Sequence, residues 1–356
     1  MIEKTSAHAQ FFHGLAGAVY RWGPVSPTQG YLCKLCFRIR IPRRIIPVSL
    51  KTIIFLCFLA CANQTFGGLD KYPGLIKADE PSAISGPPRR GVRITYLGTN
   101  AYLFETRDTT LLVDPYFSRQ NLFRMALQLR PVLQTELVAQ WLRDHPKIDA
   151  ILITHGHIDH LCDAPQMARE TGAKLIASST SVKLAESLGV PAKQTRAVKA
   201  GRTESVNRAT IHVLPAQHDR LLGAVPFNGP QRRLPPQTIG DWVTGDPLAF
   251  VIEIGGKRIF INSGGRPNDV ISPRWSGVDL AILGVAAGDS IRAVPRAVEQ
   301  LRPRYVLPSH QDDFFRPLRH GFVFLPLTDF PAVRRAVEAG SGQLILLDYS
   351  RPWTLR

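Results

Sequence analysis

Cysteine is scarce in this chain. Five occur, and only Cys162 lies beyond residue 90, so the part expected to fold cannot close an internal disulfide. The pair Cys33-Lys34-Leu35-Cys36 has CxxC spacing. It lacks a second CxxC, and no His pair follows at zinc-finger distance, which leaves it without a structural partner. Long basic runs are also missing: although the formal net charge is +16, there is no run of five or more Lys/Arg and no RNA-binding motif, so no specific nucleic acid is expected. No Gly-x-Ser-x-Gly elbow is present, which argues against a serine hydrolase. The apolar block at residues 53–62 is too short to span a membrane comfortably.

The 356 residues suffice for one large domain or two ordinary ones. Hydrophobic content of 44% and charged content of 20% are those of a globular protein. Residues 1–50 carry seven Lys/Arg and one acidic residue, which leaves 37 basic and 27 acidic residues in the rest. That excess suits an anionic substrate or acidic headgroups, or serves solubility alone.

Four regions follow from composition. Residues 1–47 show no sustained period and read as an unstructured extension, or as sequence upstream of the true start. Residues 48–62 form a signal-like segment, Ile53–Ala62 being apolar and preceded by Arg43, Arg44 and Lys51. Phe58-Leu59-Ala60-Cys61 is an imperfect lipoprotein-type site that would place a lipid on Cys61. Export to a periplasm or membrane tethering is the corresponding expectation, with a cytoplasmic location as the alternative. No Met lies between Met1 and Met125, so initiation near Val48 or Leu50 would use another codon. N-terminal sequencing of the native protein tests this. Residues 63–90, rich in Gly, Pro and Ser, read as linker. The globular domain is expected over 91–356.

Within it, strands are expected at 92–97, 101–104 and 110–113, then helical spacing over 120–143 broken at Pro131. A buried strand ends at Thr154, and a helix follows over about 161–171. A strand at 174–177, a helix at 180–188 and one alternating strand at 205–214 come next. Residues 219–247, with five Pro and four Gly, form a long loop of the kind that covers or binds. A hairpin turns at Gly255-Gly256, and strands at 278–283, 305–307 and 343–347 alternate with helices at 291–301 and 328–339. This order predicts an α/β sheet-on-sheet sandwich with helices outside.

The densest chemistry lies in Thr154-His155-Gly156-His157-Ile158-Asp159-His160, directly after an apolar strand. Imidazole nitrogen and carboxylate oxygen are the donors that zinc and similar divalent ions take. His155 and His157, two apart in an extended turn, can face one point. Asp159 and His160, at a helix start, can face a second one nearby, so one loop can serve two metal positions.

This pattern resembles the metallo-β-lactamase superfamily, whose hallmark is HxHxDH, over roughly residues 91–350. The likeness is greatest to the branch with ascorbate-phosphate lactonases and N-acyl-phosphatidylethanolamine phospholipase D. The resemblance implies an αββα sandwich of two mixed β-sheets with helices on the outer faces. It implies that Leu112-Val113-Asp114-Pro115 is the first motif, Asp114 supporting the metal loop without touching the metal. Pro215-Ala216-Gln217-His218 matches the third motif, so His218 would join His155 and His157. Leu307-Pro308-Ser309-His310 matches the last, so His310 would join Asp159 and His160. Asp219, Asp312 and Asp313 lie beside these positions, as outer carboxylates, proton carriers or merely solvated loop residues.

One motif departs. The family's bridging Asp falls at Gly265 in Phe260-Ile261-Asn262-Ser263-Gly264-Gly265-Arg266, and Gly offers no side-chain ligand. Either one metal binds firmly at His155, His157 and His218, with a second site weak or supplemented by Asp269 or a substrate oxygen, or the member binds metal without efficient turnover. The resemblance implies one or two Zn²⁺ ions, with Mn²⁺ as an alternative, and a metal-activated water acting on an ester, lactone or phosphodiester. Asp159 would orient that water or pass on its proton. A small-molecule or lipid-like substrate, anionic in one version, is expected, with Arg232 and Arg233 of the long loop either recognising its anionic group or merely solvated. The alternative is a non-catalytic or weakly active metal-binding member.

Overall fold

The structure, a computed structural model, describes residues 67–81, 86–221, 223–262, 265–266, 270–326 and 328–356. The extension, the signal-like segment with Cys61, and Asp269 lie outside the described residues.

Period-2 alternation builds the first sheet. The strands β1 (Val92–Gly98), β2 (Ala101–Glu105) and β3 (Thr110–Val113) run antiparallel to their neighbours. The strands β4 (Ala150–Leu152), β5 (Lys174–Ala177) and β6 (Thr195–Ala197) then add in parallel. Side chains of alternate residues leave opposite faces. Tyr102, Phe104, Leu111, Val113, Ala150 and Leu152 enter the core between the sheets. Leu103, Leu112, Ile151 and Leu175 face the other way, into a second apolar cluster under the outer helices. Those helices are α2 (Thr135–Asp144), α4 (Ala164–Thr171) and α5 (Ser179–Ser187), with the short α1 (Leu122–Ala126) and the single turn α3 (Ile158–Leu161) completing the series.

The second sheet contains β7 (Thr203–Val206), β8 (Ala209–Pro215), β10 (Leu248–Ile254), β11 (Lys257–Asn262), β13 (Leu280–Gly284), β14 (Tyr305–Ser309) and β15 (Gln343–Leu344). Its order is β15-β14-β13-β11-β10-β8-β7, parallel at one end and antiparallel at the other. Helices α6 (Gly288–Leu301) and α7 (Phe330–Glu338) contribute Val294, Val298, Val333 and Val337 to its core. A two-stranded patch pairs β9 (Gln217–His218) with β12 (Gly265–Arg266). The architecture is the expected sandwich of two mixed sheets with helices.

Three expectations need correction. The strand expected at 205–214 is a hairpin, because the chain reverses at Asn207, which takes φ 50°. The stretch expected as linker is partly seated on the sandwich. Leu69 is buried, Tyr72 packs on Phe324 and Phe330, and Lys77 N–H donates to the Leu346 carbonyl. Its apolar side chains outweigh its linker-like Gly and Pro. Finally, 343–347 is not the last strand: β16 (Trp353–Leu355) closes the first sheet against β1.

Candidate metal centre

The C-terminal ends of β3, β4, β8 and β14 all point to one place, and each carries a motif residue just beyond its last ladder bond. From β3 comes Asp114, fully buried with φ 41°. From β4 comes the 155–160 turn. It is anchored where Gly156 N–H donates to the Thr244 carbonyl at 3.0 Å and Leu248 N–H to the Thr154 carbonyl at 2.8 Å. A Cβ at Gly156 would lie 2.3 Å from the Val243 carbonyl oxygen, so only glycine lets the two backbones approach this closely. His218 lies in β9, three residues after Pro215 ends β8. His310 follows β14 with φ 56°, and its N–H donates to the Thr99 carbonyl at 2.7 Å.

The structure brings the six histidine and aspartate positions into two adjoining triads. Ligand-type atoms of His155, His157 and His218 lie within 4.8 Å of one another, and so do those of Asp159, His160 and His310. The rings of His155 and His160, one from each triad, are 4.0 Å apart, so the triads adjoin. Among the described residues these are the groups whose donors converge in this way.

The donor sets fit a divalent cation, and the surrounding hydrogen bonds say why. His155 Nδ1 sits 3.2 Å from Thr154 Oγ1. His157 Nε2 has Thr244 Oγ1 at 2.7 Å and the Pro226 carbonyl at 3.0 Å. His218 Nδ1 is 2.9 Å from the Asp219 carboxylate. His160 Nδ1 is 2.9 Å from Asp114 Oδ2. Each of these four rings thus turns one nitrogen to an oxygen partner, which fixes the ring and aims its other nitrogen at its triad. In the first triad those nitrogens face each other directly, His155 Nε2 lying 3.0 Å from His157 Nδ1.

Asp114 holds this arrangement. It accepts from Thr154 N–H at 2.8 Å, Thr154 Oγ1 at 2.6 Å and Asn100 Nδ2 at 3.0 Å, besides facing His160. Asp159 Oδ2 lies 3.1 Å from His310 Nε2 and 3.4 Å from His160 Nε2. Burial opposes its charge, but the imidazoles of His160 and His310 outweigh burial and hold the carboxyl well below the usual range. Burial, then the neighbouring imidazoles, keep His155 and His157 neutral, well below the ordinary value for histidine. Burial also opposes a charge on His160, yet Asp159 and Asp114 push it up to about 10. A cation facing Nε2 would take the place of that proton. Neutral imidazoles beside ionised carboxylates are the protonation states metal binding requires.

The three flanking acids separate in role. Asp219 braces His218. Asp313 is pushed up by burial and caps the Phe315 N–H. Asp312 is wholly buried and not solvated. It accepts from Thr99 N–H at 2.9 Å, Tyr96 Oη at 2.8 Å, Tyr349 Oη at 2.5 Å and Arg119 Nη2 at 2.6 Å. Burial opposes its charge, but the Arg119 guanidinium and the tyrosine hydroxyls hold it below the usual carboxylate range. This four-donor knot pins the Thr99 turn, whose carbonyl carries the His310 backbone. Arg119, Thr99, Asn100 and Thr244 carried no recognisable signal, since each lies far in sequence from the group it supports. Arg232 and Arg233 stand exposed on the long loop. Gly265 is paired across β9–β12 with His218, so the residue facing that histidine brings no carboxylate.

Comparison with known proteins agrees with this geometry. The chain matches the family model described as the β-lactamase superfamily domain over residues 109–310, a span that contains every motif residue from Asp114 to His310. It is similar to a UPF0173 metal-dependent hydrolase of Myxococcus xanthus, 26% identical over 275 residues that cover 75% of this chain and 87% of the relative. A UPF0173 metal-dependent hydrolase of Pelotomaculum thermopropionicum is 27% identical over 226 residues, 62% of this chain and 84% of that one. The solved structure of Igni18, a metallo hydrolase from the archaeon Ignicoccus hospitalis, is alike in fold. It has a TM-score of 0.51 at 20% identity, covering 74% of this chain and 98% of that one.

Proposed function

The chain belongs to the metallo-β-lactamase superfamily, and from that premise we propose that it is a metal-dependent hydrolase acting on an ester, a lactone or a phosphodiester. The observation that carries this reading is the pair of triads whose ligand-type atoms converge while the outer nitrogens of His155, His157, His218 and His160 are tied off. His155, His157 and His218 would hold one zinc ion, and Asp159, His160 and His310 a second, weaker one. Mn²⁺ is the alternative. When bound, such an ion supplies Lewis acidity and a water whose pKa is lowered towards neutrality.

The chain's own residues do the rest. Asp159, ionised and between the two rings of its triad, would orient an attacking water or pass on its proton. Thr244 and Pro226 fix the His157 ring, and Asp114 fixes His160. Phe227 stacks edge-on against His157 at 5.8 Å and shields that side of the triad from water. Arg232 and Arg233 lie on the same loop as Pro226 and Phe227, suited to an anionic group on the substrate. Unchanged Michaelis constants in an Arg232→Ala/Arg233→Ala double variant would dismiss that recognition role.

A second reading is favoured by Gly265 alone. With no carboxylate opposite His218, the protein binds metal and turns over weakly or not at all. Bis-p-nitrophenyl phosphate, a lactone panel and a phospholipid, each assayed with and without added Zn²⁺ or Mn²⁺, separate the two. Metal-dependent hydrolysis of any of them supports the enzyme. Silence on all of them at full metal occupancy supports the binding-only reading.

A further inference from the structure

Six of the seven large apolar side chains that stand exposed among the described residues share one region. Phe123, Leu127, Val132, Leu133 and Leu137 come from the α1–α2 hairpin, and Leu234 from the long loop. Scattered exposed apolar residues need no explanation, but a cluster of this kind does. The two segments touch. Ile239 N–H donates to the Leu129 carbonyl at 2.9 Å. A Cβ placed on Gly240 would meet both Gln128 Oε1, at 2.4 Å, and Arg232 Nη1, at 3.4 Å. The hairpin is stiff, Gln120 and Val132 exchanging two hydrogen bonds.

Its charge is predominantly positive. No acidic residue occurs between Asp114 and Glu136, nor between Asp219 and Asp241. The exposed charges within those two stretches are Arg130, Arg220, Arg232 and Arg233, with Arg124 half-buried and donating to the Arg130 carbonyl, and exposed Glu136 beside Leu137 opposes them. A protein partner matched to an apolar surface would not need acid excluded from two separate segments. An acidic lipid surface does, since apolar side chains enter the headgroup boundary while arginines meet anionic phosphates.

We propose that the α1–α2 hairpin and the tip of the 219–247 loop form a docking face for an anionic membrane surface. The face lies close to the metal centre along the chain: the 239–244 segment leads from Leu129's partner Ile239 to Thr244, which touches His157. Docking would therefore set the metal centre beside the lipid headgroups. The proposal does not depend on turnover and stands whether or not the centre is catalytic.

Full-length protein is mixed with sedimenting vesicles of phosphatidylcholine alone or with one-third phosphatidylglycerol. The docking face predicts binding to the anionic vesicles only, weakening as salt is raised. Because the whole chain is basic, a neutral variant decides the matter. Phe123→Ser/Leu127→Ser/Leu133→Ser keeps every charge and should bind about tenfold or more weakly. Arg130→Glu should lose a comparable amount. Both variants should keep the parent's melting temperature and zinc content, which separates loss of docking from loss of fold or of the metal centre. Three results would overturn the proposal: no binding of the parent to anionic vesicles, equal binding by the serine variant, or a dimer of the parent that the serine variant dissociates.

Discussion

At the scale of single residues, the centre depends on carboxylates that never meet the metal. Asp114 joins the Thr154 backbone, Asn100 and His160 through one side chain. Asp114→Asn keeps the shape, loses the charge and presents a donor where acceptors are required. Outer groups of this kind change metal affinity by roughly 10–100-fold, and a chelator competition titration of Asp114→Asn should show a loss in that range. An unchanged affinity would remove Asp114 from the account. Asp312 acts further out. Asp312→Asn leaves the buried Arg119 guanidinium unpaired, a change that typically costs about 3–5 kcal/mol. The sign with pH follows from the depressed carboxyl. Its stabilisation is fully present above the ordinary carboxylate range and is lost as pH falls through the still lower value in the folded state. The gap in stability between parent and Asp312→Asn should therefore be widest near neutrality and shrink below about pH 4, measured by denaturant melts across pH. Because Thr99 carries the His310 backbone, the variant should also weaken the second triad's metal.

At the scale of elements, much was legible. Apolar runs located the three strands that open the first sheet, Gly255-Gly256 marked a hairpin of the second, and the His-x-His-x-Asp-His turn after an apolar strand located the centre. What was hidden has physical reasons. The turn at Asn207 lacks Gly and Pro, so the alternation on either side of it looks continuous. The strand β16 has three residues and exists because β1 offers it an open edge. The Asp312 knot gathers side chains from β1, the 119 loop and Tyr349, which no local pattern connects. Gly156 shows how tightly elements meet at the centre: Gly156→Ala would drive a methyl into the Val243 carbonyl. We expect it to cost about 1–3 kcal/mol and to lower zinc affinity by displacing His157. Thermal melts and zinc titration of the variant check both. A variant with parental values for both would show that the 155–160 turn has more room than the structure gives it.

At the scale of the whole molecule, the centre is built by both halves of the sandwich. The first sheet leads to Asp114 and the 155–160 turn, and β8 and β14 of the second lead to His218 and His310. A cation held there ties the two sheets together and binds only the folded chain, so it must stabilise the fold by mass action. Zinc at about a hundred times its dissociation constant should add about 2.7 kcal/mol, and removal by chelator should lower the melting temperature accordingly. If Gly265 stands at the place of the superfamily's bridging carboxylate, as the sequence resemblance implies, the two positions should differ in strength. The first triad presents three imidazoles, and the second rests on one carboxylate and two rings.

The most direct test of the account is the metal content of the purified protein, measured by mass spectrometry beside that of His155→Ala/His157→Ala and His310→Ala. The account predicts one tightly held equivalent in the parent and a second that fills at higher zinc. The first should vanish in the double variant and the second in His310→Ala. A double variant that retains the parent's tightly bound metal would contradict it.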